Sequence, residues 1–462
     1  MPTKPAAVAA ATAPAPDIAN LAACVDDARA GGMDTDTGPA DQLNYDALTR
    51  GLESASANFP PLYKQDFVEP FATAVRGLGE HKFNEILLRD PSHERMAGLL
   101  LDMSQAVLQR AMHYQRPATN AFQETISDLY DGFLSAEDRR GIKPPDRTTT
   151  APLVKWGNPT FGPYTWPIDA TSAFGARAAV VNLPPGNARK RLMAWAALPH
   201  EGTGHDITHA NAGMQDELAQ AVQAQVEAAA PGLGEYWSSR IDETSSDVMG
   251  ILNMGPASGI GLIAYFRGLN GAFTGVEALR NDGPGDDPHP ADIVRGYLAA
   301  ATVASLKFSG AGAWATTIAA ETDRDAKTIT LDGTTVTVAK AKASAKAAGL
   351  AIANSKLRVL GGHALSEIQN WTDADERKVA KVRPYLLTAA DPAPLLGKQI
   401  YAAHVVAAAC TTALSKGADI STIFARMVLI LDALFDKNPS WGPMFVRHPG
   451  DIARDFYFQR VA

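Results

Sequence analysis

From about residue 43 to 140 the apolar residues recur three and four apart, as in FVEPFATAVRGL (67–78) and RMAGLLLDMSQAVLQRAMHY (95–114). That period lays one apolar stripe along a helix, and it predicts a helical N-terminal region over residues 41–145. GIKPPDRTTTAP (141–152) breaks the pattern and reads as a linker. The aromatic, turn-rich stretch that follows ends in AAVVNLP (178–184), the best strand candidate before residue 200. Helical spacing returns at Arg189–Leu198, 214–230, 235–255, 259–271 and 291–308. KTITLDGTTVTVAK (327–340) has two alternating runs around Asp332-Gly333, which predicts a β-hairpin near 327–339. SKLRVLGGHALSEI (355–368) suggests one more strand, and the remainder to 462 is helical, including an Ala-rich packing helix at 402–413. The expected fold class is mainly α with a small β component (α+β). The pattern is expected to divide the rest into a region over residues 146–310 and a C-terminal helical region over residues 311–462.

The chain has 462 residues, 46% hydrophobic and 20% charged, the composition of an ordinary globular protein. Residues 1–40 are rich in Ala, Pro, Gly and Asp and read as a disordered tail rather than a signal peptide. A net charge of −8 argues against nucleic acid or an anionic membrane as partner. No apolar run reaches the length of a membrane span. The two cysteines, Cys24 and Cys410, provide no disulfide framework, which fits a cytoplasmic location. Nothing in the pattern sets an oligomeric state.

One segment departs from helical spacing while concentrating chemistry. PHEGTGHDITH (199–209) holds three of the ten histidines and two acids. A zinc hydrolase needs neutral imidazoles and a carboxylate on the metal, and a second carboxylate to take a proton from water. The usual spacing is His-Glu-x-x-His; here it is His200-Glu201-x-x-x-His205, one residue longer. Five residues of regular α-helix turn through about 500°, so the rings would diverge by about 140°. A one-residue π-bulge absorbs the extra residue, and Gly202 and Gly204 lower its cost. RIDETSSDVMGI (240–251) places Glu243 and Asp247 on one helical face, candidates for the third ligand and for an acid that orients a ligand histidine.

HEGTGH followed by an E-x-x-x-D helix resembles a gluzincin-type metallopeptidase. The lengthened His-Glu-x-x-x-His is similar to that of the dipeptidyl peptidase III family, and VVNLPPGNAR (180–189) resembles that family's substrate-holding edge strand. The resemblance spans roughly residues 178–300. It implies a zincin-like catalytic core flanked by helical regions, one Zn2+ per chain held by His200, His205 and Glu243, and a peptide as substrate. Glu201 would be the general base, and Asp247 would orient a ligand imidazole. Asn182 on the edge strand would bind the substrate backbone.

A rival ligand set uses His205, His209 and Glu243, since His205 and His209 are four apart and need no bulge. Otherwise His209 supports the site from outside or is a spare ligand. His289 is a candidate for stabilising the oxyanion of the tetrahedral intermediate, with Tyr265, Tyr297, Tyr401 and His404 as further donors. Arg295 is a candidate for a substrate carboxylate, and His448 reads as a loop residue. Two other functions compete. One is an HD-type metal phosphohydrolase using His205-Asp206 with His113 or His200 and Asp247. The other is a non-catalytic helical binding protein with a structural zinc closed by His209.

Overall fold

The structure, a computed structural model, describes residues 15–442 apart from 135–138, 140, 147–149, 158, 160 and 161. Leu21–Gly32 is a helix, α1, where a disordered tail is expected. Its buried Leu21, Cys24, Val25 and Ala28 follow the i, i+3, i+4, i+7 rule in small residues. Residues 1–14 of that tail lie outside the described residues.

The N-terminal region is helical as its spacing predicts: α2 (Tyr45–Ala55), α3 (Glu69–Arg89), α4 (Met96–Ala111) and α5 (Arg116–Leu134). Next come β1 (Leu153–Trp156), β2 (Tyr164–Trp166) and β3 (Val180–Leu183). They form one sheet in the order β1-β3-β2, with β3 parallel to β1 and antiparallel to β2. β3 is therefore the central strand, not the edge strand of the sequence reading; the edges are β1, where Gln109 bonds the Trp156 backbone, and β2. Val154, Trp156, Val181 and Leu183 face the larger apolar core, whereas Leu153 and Val180 face a smaller one built on α2–α4. Strand period two decides the sides.

α6 (Met214–Ala229), α7 (Ile241–Met254), α8 (Pro256–Thr274), α9 (Asp292–Ala304) and α10 (Ala311–Asp325) follow, with a two-residue strand β4 (Asp282–Gly283) before α9. β5 (Ile329–Leu331) and β6 (Thr334–Val336) make the expected hairpin. Asp332 and Gly333 both have positive φ, 49° and 71°, as its turn demands. β4 joins β5 in parallel and completes a second three-stranded sheet. α11 (Val338–Asn354), α12 (Asp373–Leu387), α13 (Ala402–Ala413) and α14 (Ile420–Phe435) complete the described helices of more than five residues. The strand suggested at 355–368 does not form: Arg358–Leu360 is a 3-10 turn, and only a single bridge, Leu357 to His363, is made.

α1 packs on α8 and caps the larger core. A Cβ added to Gly268 would lie 2.4 Å from Ala28 Cβ, so the two helices touch nearly backbone to backbone. Asn20 N donates to Leu414 O at 2.8 Å, which ties α1 to the end of α13. Among the described residues no helix is long and apolar enough to cross a membrane.

Candidate metal centre

Pro199–Gly204 is a π-helical turn, and the chain continues as α-helix at His205–Ile207. Bonds from i to i+5 bring residues five apart onto one face, which is what the His200–His205 spacing requires. The approach differs from expectation: instead of an α-helix over Arg189–Leu198 there is a 3-10 turn at Met193–Ala197. The glycines also act differently. Gly204 has φ −67°, open to any residue. A Cβ there would lie 2.1 Å from Ser246 Cβ of α7, and one on Gly202 2.4 Å from Ile126 Cδ1 of α5. These glycines let two helices press onto the turn; they do not loosen it.

The turn and α7 bring the ligand candidates together. His200 Nε2 and His205 Nε2 are 3.1 Å apart. Glu243 presents Oε2 at 3.4 Å to the first and Oε1 at 3.6 Å to the second. Tetrahedral zinc with bonds of about 2.0–2.1 Å separates its ligand atoms by about 3.3 Å. The Nε2–Nε2 spacing is near that, while the two Glu243 distances run to different oxygens. Each ring is held from behind. His200 Nδ1 donates to Asp247 Oδ1 at 2.9 Å, and His205 Nδ1 to Asp242 Oδ2 at 2.9 Å. With both Nδ1 atoms as N–H donors, both Nε2 lone pairs aim at one point, where only a proton or a cation relieves their repulsion. Glu243 Oε2 is buried and, apart from His200 Nε2 at 3.4 Å and the Arg295 guanidinium at 3.6 Å, has no polar partner among the described residues. Glu201 stands beside the pair, near enough to group with both histidines around one ion. Thr165 of β2 donates its hydroxyl to the Glu201 backbone O at 2.8 Å and lies 3.3 Å from Oε2.

Behind these candidate ligands is a buried ion pair. Arg295 of α9 holds Asp247 with two hydrogen bonds, Nε to Oδ2 at 2.7 Å and an NH2 nitrogen to Oδ1 at 2.8 Å. Its guanidinium also lies 4.5 Å from the Phe266 ring centre. Burial alone would raise the Asp247 pKa, but Arg295 and His200 hold it below the usual range. Burial likewise opposes charge on His200, yet hydrogen bonds to Asp247 and Glu243 outweigh it and raise its pKa to about 10. Without metal, His200 therefore keeps a proton at pH 7. A divalent cation bound there would take the same lone pair, so its uptake at pH 7 should release a proton, and its affinity should climb as pH rises toward 10. Calorimetry in buffers of unequal ionisation enthalpy measures this release; identical heats in every buffer would refute it.

The other candidates are scattered. His289 is in the loop before α9, half exposed, with Nε2 3.3 Å from Glu243 Oε1 and Nδ1 3.1 Å from Asp287 Oδ1. Tyr265, on α8, lines the same cleft, and burial, with Glu201 nearby adding to it, raises its pKa. Tyr297 instead bonds Asp323 at 2.8 Å, and His404 is stacked between Trp371 and Tyr401, so none of these three lines the cleft. Arg295, read as a carboxylate receptor, is committed to Asp247. Asn182 is paired across the sheet with Tyr164, and both lie on the face opposite Thr165 and Glu201. There its amide donates to Gly162 O at 3.2 Å. His209 turns to Asp169, Nδ1 to Oδ2 at 2.7 Å, away from the trio. Asp206 is occupied by Tyr130 OH and, at 2.7 Å, by the Ile168 amide. His113 lies at the far end of α4, and His448 is outside the described residues. Asp242 and Thr165 are the contributors that sequence reasoning missed. Asp242 is adjacent to Glu243, and no periodicity singles it out.

The cluster opens into a cleft of about 420 Å3. Leu262, Tyr265, Phe266, Leu269 and Phe273, spaced three and four apart on α8, make its apolar wall. Gly162–Thr165, at the free edge of β2, makes the facing rim. No family model matches the chain, and neither a curated protein nor a solved structure does.

Proposed function

We propose that the protein is a zinc-dependent metallopeptidase with His200, His205 and Glu243 as ligands and Glu201 as general base. The observation that carries this reading is the convergence of two imidazole Nε2 atoms and one buried carboxylate, each ring locked from behind by an acid. A bound zinc supplies Lewis acidity and lowers the pKa of water. Glu201 takes the proton from the attacking water and returns it to the leaving amine. Tyr265 and His289 face the cleft as donors to the developing oxyanion. The free edge of β2 offers backbone groups to an extended peptide, the role expected of β3, while the α8 wall favours a bulky apolar side chain. Nothing in the geometry favours the phosphohydrolase or structural-zinc alternatives: Asp206 and His209 are engaged elsewhere.

The test is elemental mass spectrometry of wild type beside His200→Ala, Glu243→Ala and His209→Ala, followed by a peptide-library screen. Zinc near one per chain, lost in the first two variants and kept in the third, is expected. Zinc kept without His200 but lost without His209 would install the rival ligand set. No zinc in wild type after zinc is supplied would end the hydrolase reading.

A further inference from the structure

A separate polar cavity of about 170 Å3 lies where the end of α4, the start of α5 and the end of α14 meet, and it shares no lining residue with the metal cleft. Arg110, His113 and Arg116 line it, and no acidic side chain does. Arg110 is only 8% exposed. It has five N–H donors. Within the described protein it donates to Asn120 Oδ1 at 2.6 Å and to Thr119 O at 3.4 Å, and the rest make no protein hydrogen bond. Trp441 and Phe435 stack on its flat faces at 4.5 and 5.4 Å. Those rings stabilise the faces and leave the N–H edge unserved. Among the described residues no carboxylate is within ion-pair distance; Asp432 reaches it only through Asn120, whose Nδ2 donates at 2.8 Å.

A buried charge is ordinarily paired, because stripping its water costs several kcal/mol. Arg267 and Arg295, equally buried, both have carboxylates at 2.7 Å. Arg240, also buried and without an ion pair among the described residues, spends its N–H groups on Tyr236 O, Ser239 Oγ, Pro284 O and Gly285 O instead. Arg110 has only the two acceptors named, and burial with Arg116 nearby lowers its pKa to about 10. The turn between α4 and α5 has two non-glycine residues in the left-handed region, His113 at φ 54° and Gln115 at φ 45°. Each costs about 1–2 kcal/mol. This turn sets His113 and Arg116 beside the same opening as Arg110.

We propose that this cavity is a binding site for a small tetrahedral oxyanion, phosphate or sulfate in type, clasped by the Arg110 edge with Arg116 and His113 at the mouth. The planar guanidinium edge matches two oxygens of such an ion. The volume takes the ion or a terminal phosphate group, not a base or a peptide.

The experiment is thermal unfolding of the full chain titrated with sodium phosphate, sodium sulfate and glycerol phosphate, each against sodium chloride at matched ionic strength. A saturable rise in Tm with the oxyanions and none with chloride is expected. Arg116→Ala with His113→Ala should weaken it about tenfold or more without harming the fold, since both side chains are at the surface. Arg110→Lys, which keeps charge but loses the fork, should weaken it further. His200→Ala should leave the response intact, which separates this site from the metal cluster. Tighter binding of phosphate than of glycerol phosphate identifies a free ion, and the reverse order a phosphomonoester. Equal responses to chloride and phosphate, or an oxyanion response unchanged in both cavity variants, would overturn the proposal.

Discussion

Glu201→Gln is expected to lower kcat on a cleaved peptide by roughly 10²–10⁴-fold while zinc stays near one per chain, if the peptidase reading holds. That fall corresponds to about 3–5 kcal/mol of lost transition-state stabilisation. The amide keeps the shape of the side chain and its contact with Thr165, but it cannot accept the proton. The two Nε2 atoms and Glu243 are untouched, so the metal should remain and KM should move little. Paired turnover and metal measurements decide the matter. If zinc leaves together with activity, Glu201 is a ligand, which its grouping with His200 and His205 makes a real contest. Unchanged turnover would remove it from the chemistry.

Asp247→Ala should be the most destabilising single change near the site, by about 3–5 kcal/mol in urea unfolding. It strips a fully buried guanidinium of both hydrogen bonds from its carboxylate. The same change leaves His200 Nδ1 without its acceptor, and zinc affinity should fall about 10–100-fold. Combining Asp247→Asn with Arg295→Met removes the charge as well as its partner, and should recover much of the stability but not the affinity. A loss below about 1 kcal/mol in the single variant would mean that water reaches Arg295 and that the pair is not sealed.

His200, His205 and Glu243 are legible in the chain because helical periodicity is local: spacing alone says which residues share a face, and one extra residue announces a bulge. Asp242 is not legible, because its part depends on which way the His205 ring turns. The mainly helical class and the hairpin at Asp332-Gly333 follow from short-range rules. β3 is also visible as a run of apolar β-formers, yet its place in the sheet is not. Its neighbours are strands of four and three residues, LVKW and YTW, which exist only through pairing. Hence the edges are β1 and β2, and Asn182 fell on the wrong face. Arg295 was misread because a buried cation and a substrate-binding one look alike until the partner acid is seen.

The union of α1 with α8 sets a schedule for synthesis. α1 leaves the ribosome before α8, which begins roughly 220 residues further along the chain. At about 5–20 residues per second the Leu21–Cys24–Val25–Ala28 stripe must wait roughly 10–45 seconds for the surface that covers it. Its small side chains and the acids at Asp26 and Asp27 keep that stripe narrow and weakly adhesive in the interval. The larger core closes later still, because it also takes Val405 of α13 and Met427 of α14, and Asn20 beside α1 bonds Leu414.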